Sequence, residues 1–414
     1  MKKETGITIV ALVVTIVVML ILVGVSVTVS INGGLFNTTK ESTYKTEVSQ
    51  VKEALEEEIV QRKARRESVD NITIEDLDIP NKIKDKYKDK LIIIGKDIYY
   101  DPANIEKDNE EAWLEDMDIS TNTKFFTYNS NGDTITGLSE SGYTAIENGV
   151  TKFVMPTKYV SKDANGNRKV TTITTIGENA FNATADGKEA CAKIKSIVFP
   201  TTLISLNNYA LKGCKNLTEV EFPDSLKNIN FQTFADCLNL LKIDLSKTQV
   251  TYIGQYAFSY CKNLKEAILP ENLTGLDSFA FWHCEKMEKI NLGRITSVSP
   301  YCFQYCTNLK NIEIPDSVTS IRECSFQCCS SLEKLIIPNS VTNINFAAFA
   351  NCEKIQEIRI PSSVTTISYN VFYGSAIDGK IYVPYTKEEG KPSGWHDQWN
   401  SRSGATIIYA DETT

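Results

Sequence analysis

The sequence predicts a mainly β solenoid of about nine 23-residue repeats, preceded by a long N-terminal α-helix and a small α/β spacer. Three observations predict it. A marker aromatic recurs at Phe181, Phe234, Phe258, Phe281, Phe303, Phe326, Phe349 and Phe372, with Leu211 in the remaining slot, at steps of 30, 23, 24, 23, 22, 23, 23 and 23. Proline follows in the same phase at Pro200, Pro223, Pro270, Pro315, Pro338, Pro361 and Pro384. Ahead of the repeats lie an uncharged run from Ile7 to Ile31 and an amphipathic stretch from about Thr38 to Arg66. In order, residues 1–6 read as a leader, 7–31 as a transmembrane helix, 32–67 as an amphipathic helical stalk and 68–149 as the spacer. Residues 150–175 read as a degenerate capping repeat around Pro156, 176–384 as the solenoid and 385–414 as a C-terminal cap and tail.

At 1.5 Å per residue the apolar run makes about 37 Å of helix, enough to cross a hydrocarbon layer of ~30 Å with some tilt. Lys2 and Lys3 precede it. The positive-inside rule then keeps the amino end in the cytoplasm and sends the bulk of the chain across the membrane, to the cell surface. The residues MKKETG form a very short basic leader ending in glycine, joined without a break to the apolar helix. This resembles the type IV prepilin leader. The resemblance implies a cut between Gly6 and Ile7 by a prepilin peptidase, and pilin-like subunits as partners; Ile7 and Ala11 stand where that family carries Phe and Glu. The other readings are an uncleaved signal anchor and a secretion signal cut near Thr28-Val29-Ser30.

Behind Asn32-Gly33-Gly34, read as a helix break, Tyr44, Val48, Val51, Leu55 and Ile59 fall at spacings of four, three, four and four. They form one apolar stripe of a helix that serves as a stalk or packs on a small domain. Within the spacer, KLIIIGKDIYY (90–100) is β-rich. YNSNGDTITG (128–137) and KDANGNRK (162–169) look superficially like calcium loops. Both lack glycine at the sixth loop position, and an Asn-Gly turn between strands accounts for them.

The repeats follow the pattern I-x-x-x-A-F-x-x-C-x-x-L-x-x-I-x-I-P-x-S-V-T, as in IRECSFQCCSSLEKLIIPNSVTN (321–343). Leu309, Ile312 and Ile314 supply an inward strand; Pro315 ends it because proline donates nothing to a ladder; Val318 and Ile321 return along another wall. Such a rung buries its apolar set only against its neighbours. The pattern resembles the BspA-type leucine-rich repeat over residues ~150–390. The resemblance implies a leucine-rich-repeat β-solenoid, surface or secreted placement, and a binding or adhesive role that names no catalytic residue.

All eleven cysteines lie in the repeat region, and Cys214, Cys237, Cys261, Cys284, Cys306, Cys329 and Cys352 each sit three residues after the marker. One thiol per rung reads as a buried ladder of small side chains, whereas a metal cluster needs four converging ligands. Cys302, Cys324 and Cys328 fall off that column and are candidates for oxidation. Seven residues after the marker the column reads Lys265, Glu288, Lys310, Glu333. One residue on, it reads Glu219, Lys242, Glu266, Lys289, Asn311, Lys334, Glu357, Lys380, so this outer face reads as a solvated, self-neutralised sheet. A net charge of −8 with interspersed signs and no basic block argues against nucleic acid as a partner. His283 and His396 are the only histidines, and no Ser-His-Asp or Cys-His arrangement follows from them, so no catalytic residue, metal or cofactor is assigned.

One departure from the repeat stands above this background. Two residues either side of the marker, aromatic side chains fill both slots on three consecutive rungs: Tyr256 and Tyr260, Phe279 and His283, Tyr301 and Tyr305, with Trp282 beside them. Elsewhere these slots hold Asn179, Gln232, Asp236, Ala347, Asn351 and Asn370. A helical turn would bring i and i+4 to one face and join the six into a contiguous recognition patch; the alternative is that they thicken the core. The sequence thus reads as a membrane-anchored, cell-surface leucine-rich-repeat protein that binds an extracellular protein or glycan, and not as an enzyme. A minor pilin-like subunit or structural cell-envelope protein is the alternative.

Overall fold

A computed structural model describes residues 34–65, 72–94, 97–100, 110, 113–114, 117, 121–162, 165–375 and 379–412. Gly6, Ile7, the leader and the apolar run 7–31 lie outside these residues. Among the described residues no helix is long and apolar enough to cross a membrane. The chain divides into two compact units, whose described residues run from 34 to 121 and from 122 to 412.

In the first unit the helix Gly34–Arg65 carries the expected stripe, and Tyr44, Val48, Val51, Leu55 and Ile59 are buried in one core with Ile74, Leu77, Ile83, Tyr87, Leu91 and Ile98. The described helix begins at Gly34, and Asn32 and Gly33 of the expected helix break lie outside the described residues. Arg62, Lys63 and Arg65 fall in the last turn, where cations complement the exposed carbonyls. KLIIIGKDIYY forms two antiparallel strands, Leu91–Ile94 and Asp97–Tyr100.

The second unit is the solenoid. Each rung runs through a short strand on the strand wall, a proline corner, a two-residue strand on the return wall, and a pair of turns that carries the marker. Rungs pair in parallel: Glu357–Arg359 with Lys380–Tyr382 on the strand wall, Asn343–Ile344 with Thr366–Ile367 on the return wall. The two Asn-Gly segments are hairpin turns, joining Phe126–Tyr128 to Thr134–Leu138 and Lys158–Lys162 to Arg168–Thr172. Lys152–Val154 pairs with Ser196–Val198, so a rung strand precedes Ile176. Thr406–Ile408 adds a last strand beside Lys380–Tyr382.

The marker rings fill the interior. From Phe234 to Phe372 they stack face to face at centroid separations of 5.2, 5.3, 5.9, 5.3, 5.4 and 5.6 Å. Edge-on rings plug both ends, Phe126 against Phe181 (6.2 Å, 80°) and Trp399 against Phe372 (6.0 Å, 82°). The seven on-column thiols are buried beside them, and each donates a hydrogen bond to a marker-slot carbonyl of an earlier rung: Cys306 to Phe281 at 3.4 Å, Cys329 to Phe303 at 3.2 Å, Cys352 to Phe326 at 3.1 Å. Ser375 takes the same role in the last rung, donating to the Phe349 carbonyl. Burial pushes these thiols well above their ordinary pKa. All eleven cysteines are free. Of the three off-column thiols read as candidates for oxidation, Cys302 and Cys324 are buried and only Cys328 is half-exposed, which corrects that view for the first two; the fourth off-column thiol, Cys191, is buried as well. The two outward charge columns face solvent, with Lys242 Nζ 2.9 Å from Glu266 Oε2 on the neighbouring rung.

Candidate functional site: an aromatic ridge at the marker corner

From Leu211 to Phe372 each marker corner consists of two successive turns, each with one residue in the left-handed backbone region. The φ values are +57° and +56° at Tyr256 and Tyr260, +62° and +57° at Phe279 and His283, +58° and +64° at Tyr301 and Tyr305. The corner is therefore not the helical turn that would have brought i and i+4 to one face. The two slots share a face because left-handed residues recur four apart within a rung and again in each rung from Leu211 to Phe372. Glycine, asparagine and aspartate tolerate this backbone best, and other rungs supply Gly213, Gly374, Asn179, Asn351, Asn370 and Asp236, but also Tyr209, Gln232, Cys324, Cys328 and Ala347. The six ring-bearing residues forgo that preference at a cost of roughly 1–2 kcal/mol each.

The structure brings all seven sequence-selected residues together. Before the marker, Tyr256 stacks on Phe279 (4.5 Å, 12°) and Phe279 on Tyr301 (4.5 Å, 2°). After it, Tyr260 stacks on His283 (4.7 Å, 5°) and His283 on Tyr305 (4.3 Å, 11°). Trp282 stands between the columns, steeply inclined to Tyr256, Tyr260, Phe279 and His283 at 67–78°, and its Nε1 donates to Gln304 Oε1 at 2.8 Å. All seven are partly exposed, Tyr305 most at 36%. Two further rings lengthen the first column: Phe231 meets Tyr256 edge-on at 6.0 Å and Tyr209 meets Phe231 at 5.2 Å. Tyr209 sits two residues before Leu211, so its signal was present in the repeat but hidden by the non-aromatic marker.

Charge is concentrated at one edge of the ridge. Lys262 Nζ lies 2.9 Å from Glu285 Oε1, which holds the Glu285 carboxyl below its ordinary range, and 5.9 Å over the Tyr260 ring. His283 Nδ1 has no hydrogen-bond partner and lies 3.6 Å from the same carboxylate oxygen. Burial lowers the His283 pKa, and the Glu285 carboxylate opposes that shift. The Cys324 and Cys328 thiols beside Tyr301 and Tyr305 raise those phenols. Because the ring faces are occupied by one another, a ligand meets ring edges and phenol groups, with Trp282 set across them. The arrangement is suited to recognition: it pairs no nucleophile with a base. Among the described residues no group of three or more His, Cys, Asp or Glu side chains is placed to hold a metal ion.

Parallel rungs, a proline corner and an aromatic-cysteine column define a leucine-rich-repeat β-solenoid. The sequence profile of the BspA type leucine-rich repeat region matches residues 174–306 and 280–389, and the chain belongs to this family. A leucine-rich repeat protein from Bacteroides ovatus is similar in structure, with a TM-score of 0.56 and 27% identity over 69% of this chain and 68% of its own. A leucine rich cell surface protein from Faecalibacterium prausnitzii (19% identity, TM-score 0.36, 69% of this chain and 92% of its own) superposes too loosely to inform the ridge. The same holds for the pneumococcal vaccine antigen PcpA (16%, 0.29, 69% and 98%). No curated protein matches the chain.

Proposed function

We propose that this protein is displayed at the cell surface and adheres to an extracellular protein or glycan through the ridge formed by Tyr256, Tyr260, Phe279, Trp282, His283, Tyr301 and Tyr305. One observation carries the reading. Rings fill both left-handed slots on three consecutive rungs and stack there, although Asn, Gly, Gln, Ala and Cys hold the same backbone in other rungs, so the fold does not require the ridge. Residues held in unfavourable backbone regions cluster at ligand sites. Placement at the surface rests on the apolar run 7–31 behind Lys2 and Lys3, which we take as the membrane tether, and on the surface location of relatives such as the Faecalibacterium protein.

A glycan array and a panel of purified extracellular matrix proteins, probed with residues 34–414 and with the Tyr260→Asn/Tyr305→Asn variant, test the reading. Binding that disappears in the variant at an unchanged melting temperature supports it; binding that survives intact sinks the ridge as the contact surface. The MKKETG leader favours a second reading, a minor pilin-like subunit. Mass spectrometry of the mature protein distinguishes the two: a chain starting at Ile7, recovered from sheared surface filaments, supports the subunit reading, and a chain starting at Met1 excludes it.

A further inference from the structure

One repeat of the solenoid is a residue short. The step from Phe281 to Phe303 is 22 residues, flanked by steps of 23. The shortening falls at Gly293, where neighbouring rungs carry Pro315-Asp316-Ser317 and Pro338-Asn339-Ser340. Gly293 cuts the corner at φ +58°; a Cβ there would lie 2.7 Å from the Pro270 carbonyl oxygen and 3.0 Å from Leu273 Cβ, so only glycine fits the shortcut.

Both walls lose their ladder across this deletion. On the strand wall one sheet ends at Lys289–Ile290 and the next begins at Asn311–Glu313; on the return wall one ends at Gly275–Leu276 and the next begins at Ser297–Val298. Among the described residues no strand pairing crosses the step on either wall. The strand wall is also interrupted between Glu219–Glu221 and Lys242–Asp244, but there the return wall stays paired, Ser205–Leu206 with Asn228–Ile229. The Asn291 side chain marks where the backbone departs. Its Nδ2 donates to the Leu269 carbonyl at 2.8 Å and its Oδ1 accepts from the Leu269 N–H at 2.7 Å, standing in for a ladder partner. Alongside, a groove of about 850 Å³ opens between Lys289–Arg294 and Lys310–Asp316.

The marker corner carries through. Phe279, Phe281 and His283 donate their N–H groups to the carbonyls of Pro300, Cys302 and Gln304 at 3.0, 3.0 and 2.9 Å, and Asn308 donates to Glu285 at 3.1 Å. The Phe279–Tyr301 and His283–Tyr305 stacks bridge the same step, while the marker rings there stand at 5.9 Å, the widest spacing in their column. Away from this corner the strongest backbone tie is a single bond from the Arg294 N–H to the Leu273 carbonyl, 2.8 Å.

We propose that the step across Gly293 is a joint: two rigid blocks of solenoid bend about the marker corner, and the groove on the strand wall widens and narrows as they do. In a repeat array stability is a sum of nearest-neighbour interfaces, and an interface stripped of both ladders is where the array opens first. The joint stands whether or not the ridge binds a ligand.

Hydrogen–deuterium exchange on the full chain tests it. Amides of Lys310, Asn311, Thr296 and Ser299 are expected to exchange at least tenfold faster than their equivalents one rung on, Glu333, Lys334, Thr319 and Arg322. Amides of Phe281 and His283 should stay as slow as those of Phe303 and Tyr305. Equal wall rates overturn the joint, and so does a marker corner as fast as the walls, which would mean that the whole step unfolds. Replacing Leu292–Arg294 with Ile-Pro-Asn-Ser restores the 23-residue period and should slow the wall amides to the rate of their neighbours. Walls that stay fast in that folded variant also overturn the proposal; if the variant does not fold, the wild-type pattern decides.

Discussion

The inner column of marker rings and the outer ridge occupy the same corner of the same rungs, two residues apart in sequence. Phe258, Phe281 and Phe303 are fully buried, and their column continues rung after rung to Phe372 before Trp399 closes it. The ridge rings beside them are half-exposed, sit on left-handed backbone and keep both slots filled for three rungs only. Identical stacking geometry therefore serves two purposes. The inner column is demanded by the fold, because a rung has no other way to bury its apolar set than against its neighbours. The outer one is not, since rungs with Asn351, Asn370 or Gly374 in those slots fold into the same corner. In a repeat protein a residue that keeps the period reports architecture, and a residue that breaks it reports something selected for besides.

The sharpest way to break this comparison is to truncate one ring from each column. Phe303→Ala should cost roughly 3–5 kcal/mol, as deletion of a buried phenyl group does, and should lower the denaturant midpoint accordingly. Gly293→Ala comes next, at about 1–3 kcal/mol, because the new side chain meets the Pro270 carbonyl and must hold a left-handed φ. Exchanging Tyr260 and Tyr305 for Asn should change stability by less than about 1 kcal/mol, the lost stacking being offset by relief of left-handed strain. If that loss instead approaches the Phe303→Ala value in a urea titration, the ridge is core and the comparison collapses.

A smaller effect sharpens it through pH. The folded protein lowers the His283 pKa below its ordinary 6.5, so folding favours the neutral ring. That contribution is complete above 6.5 and is lost as pH falls through 6.5 toward the lowered folded value. Melting temperatures measured between pH 7.5 and 5 should show a modest decline that His283→Gln removes; a decline that persists in the variant places the titrating group elsewhere. Lys310→Ala, on the solvated charge column, should move stability by under about 0.5 kcal/mol.

Much of this was legible in the residues themselves. The aromatic period, the proline phase and the thiol column located the inward positions, and the alternating charges marked the outward strand positions. The ridge residues could be named because they interrupt that period, yet the reason they converge was misread. Spacing of four suggests a helix, and here it arises from paired left-handed turns, which side-chain identity obscures when Tyr or His replaces Asn or Gly. Tyr209 and Phe231 escaped notice because Leu211 leaves no aromatic marker in that rung and Phe231 lies outside the two slots.

By itself the sequence determined the family, the rung, its inward and outward faces and the 22-residue step between Phe281 and Phe303, because in a solenoid each residue's surroundings are set by the residue one period away. Tertiary structure alone decided how that one missing residue is absorbed: both walls part, Asn291 substitutes its side chain for a strand, and the marker corner holds across the gap. It also decided that the ridge rings lie face to face and present their edges outward. These outcomes depend on backbone direction and on how strain is shared among the three sides of a rung, and a count of residues along the chain does not carry that information.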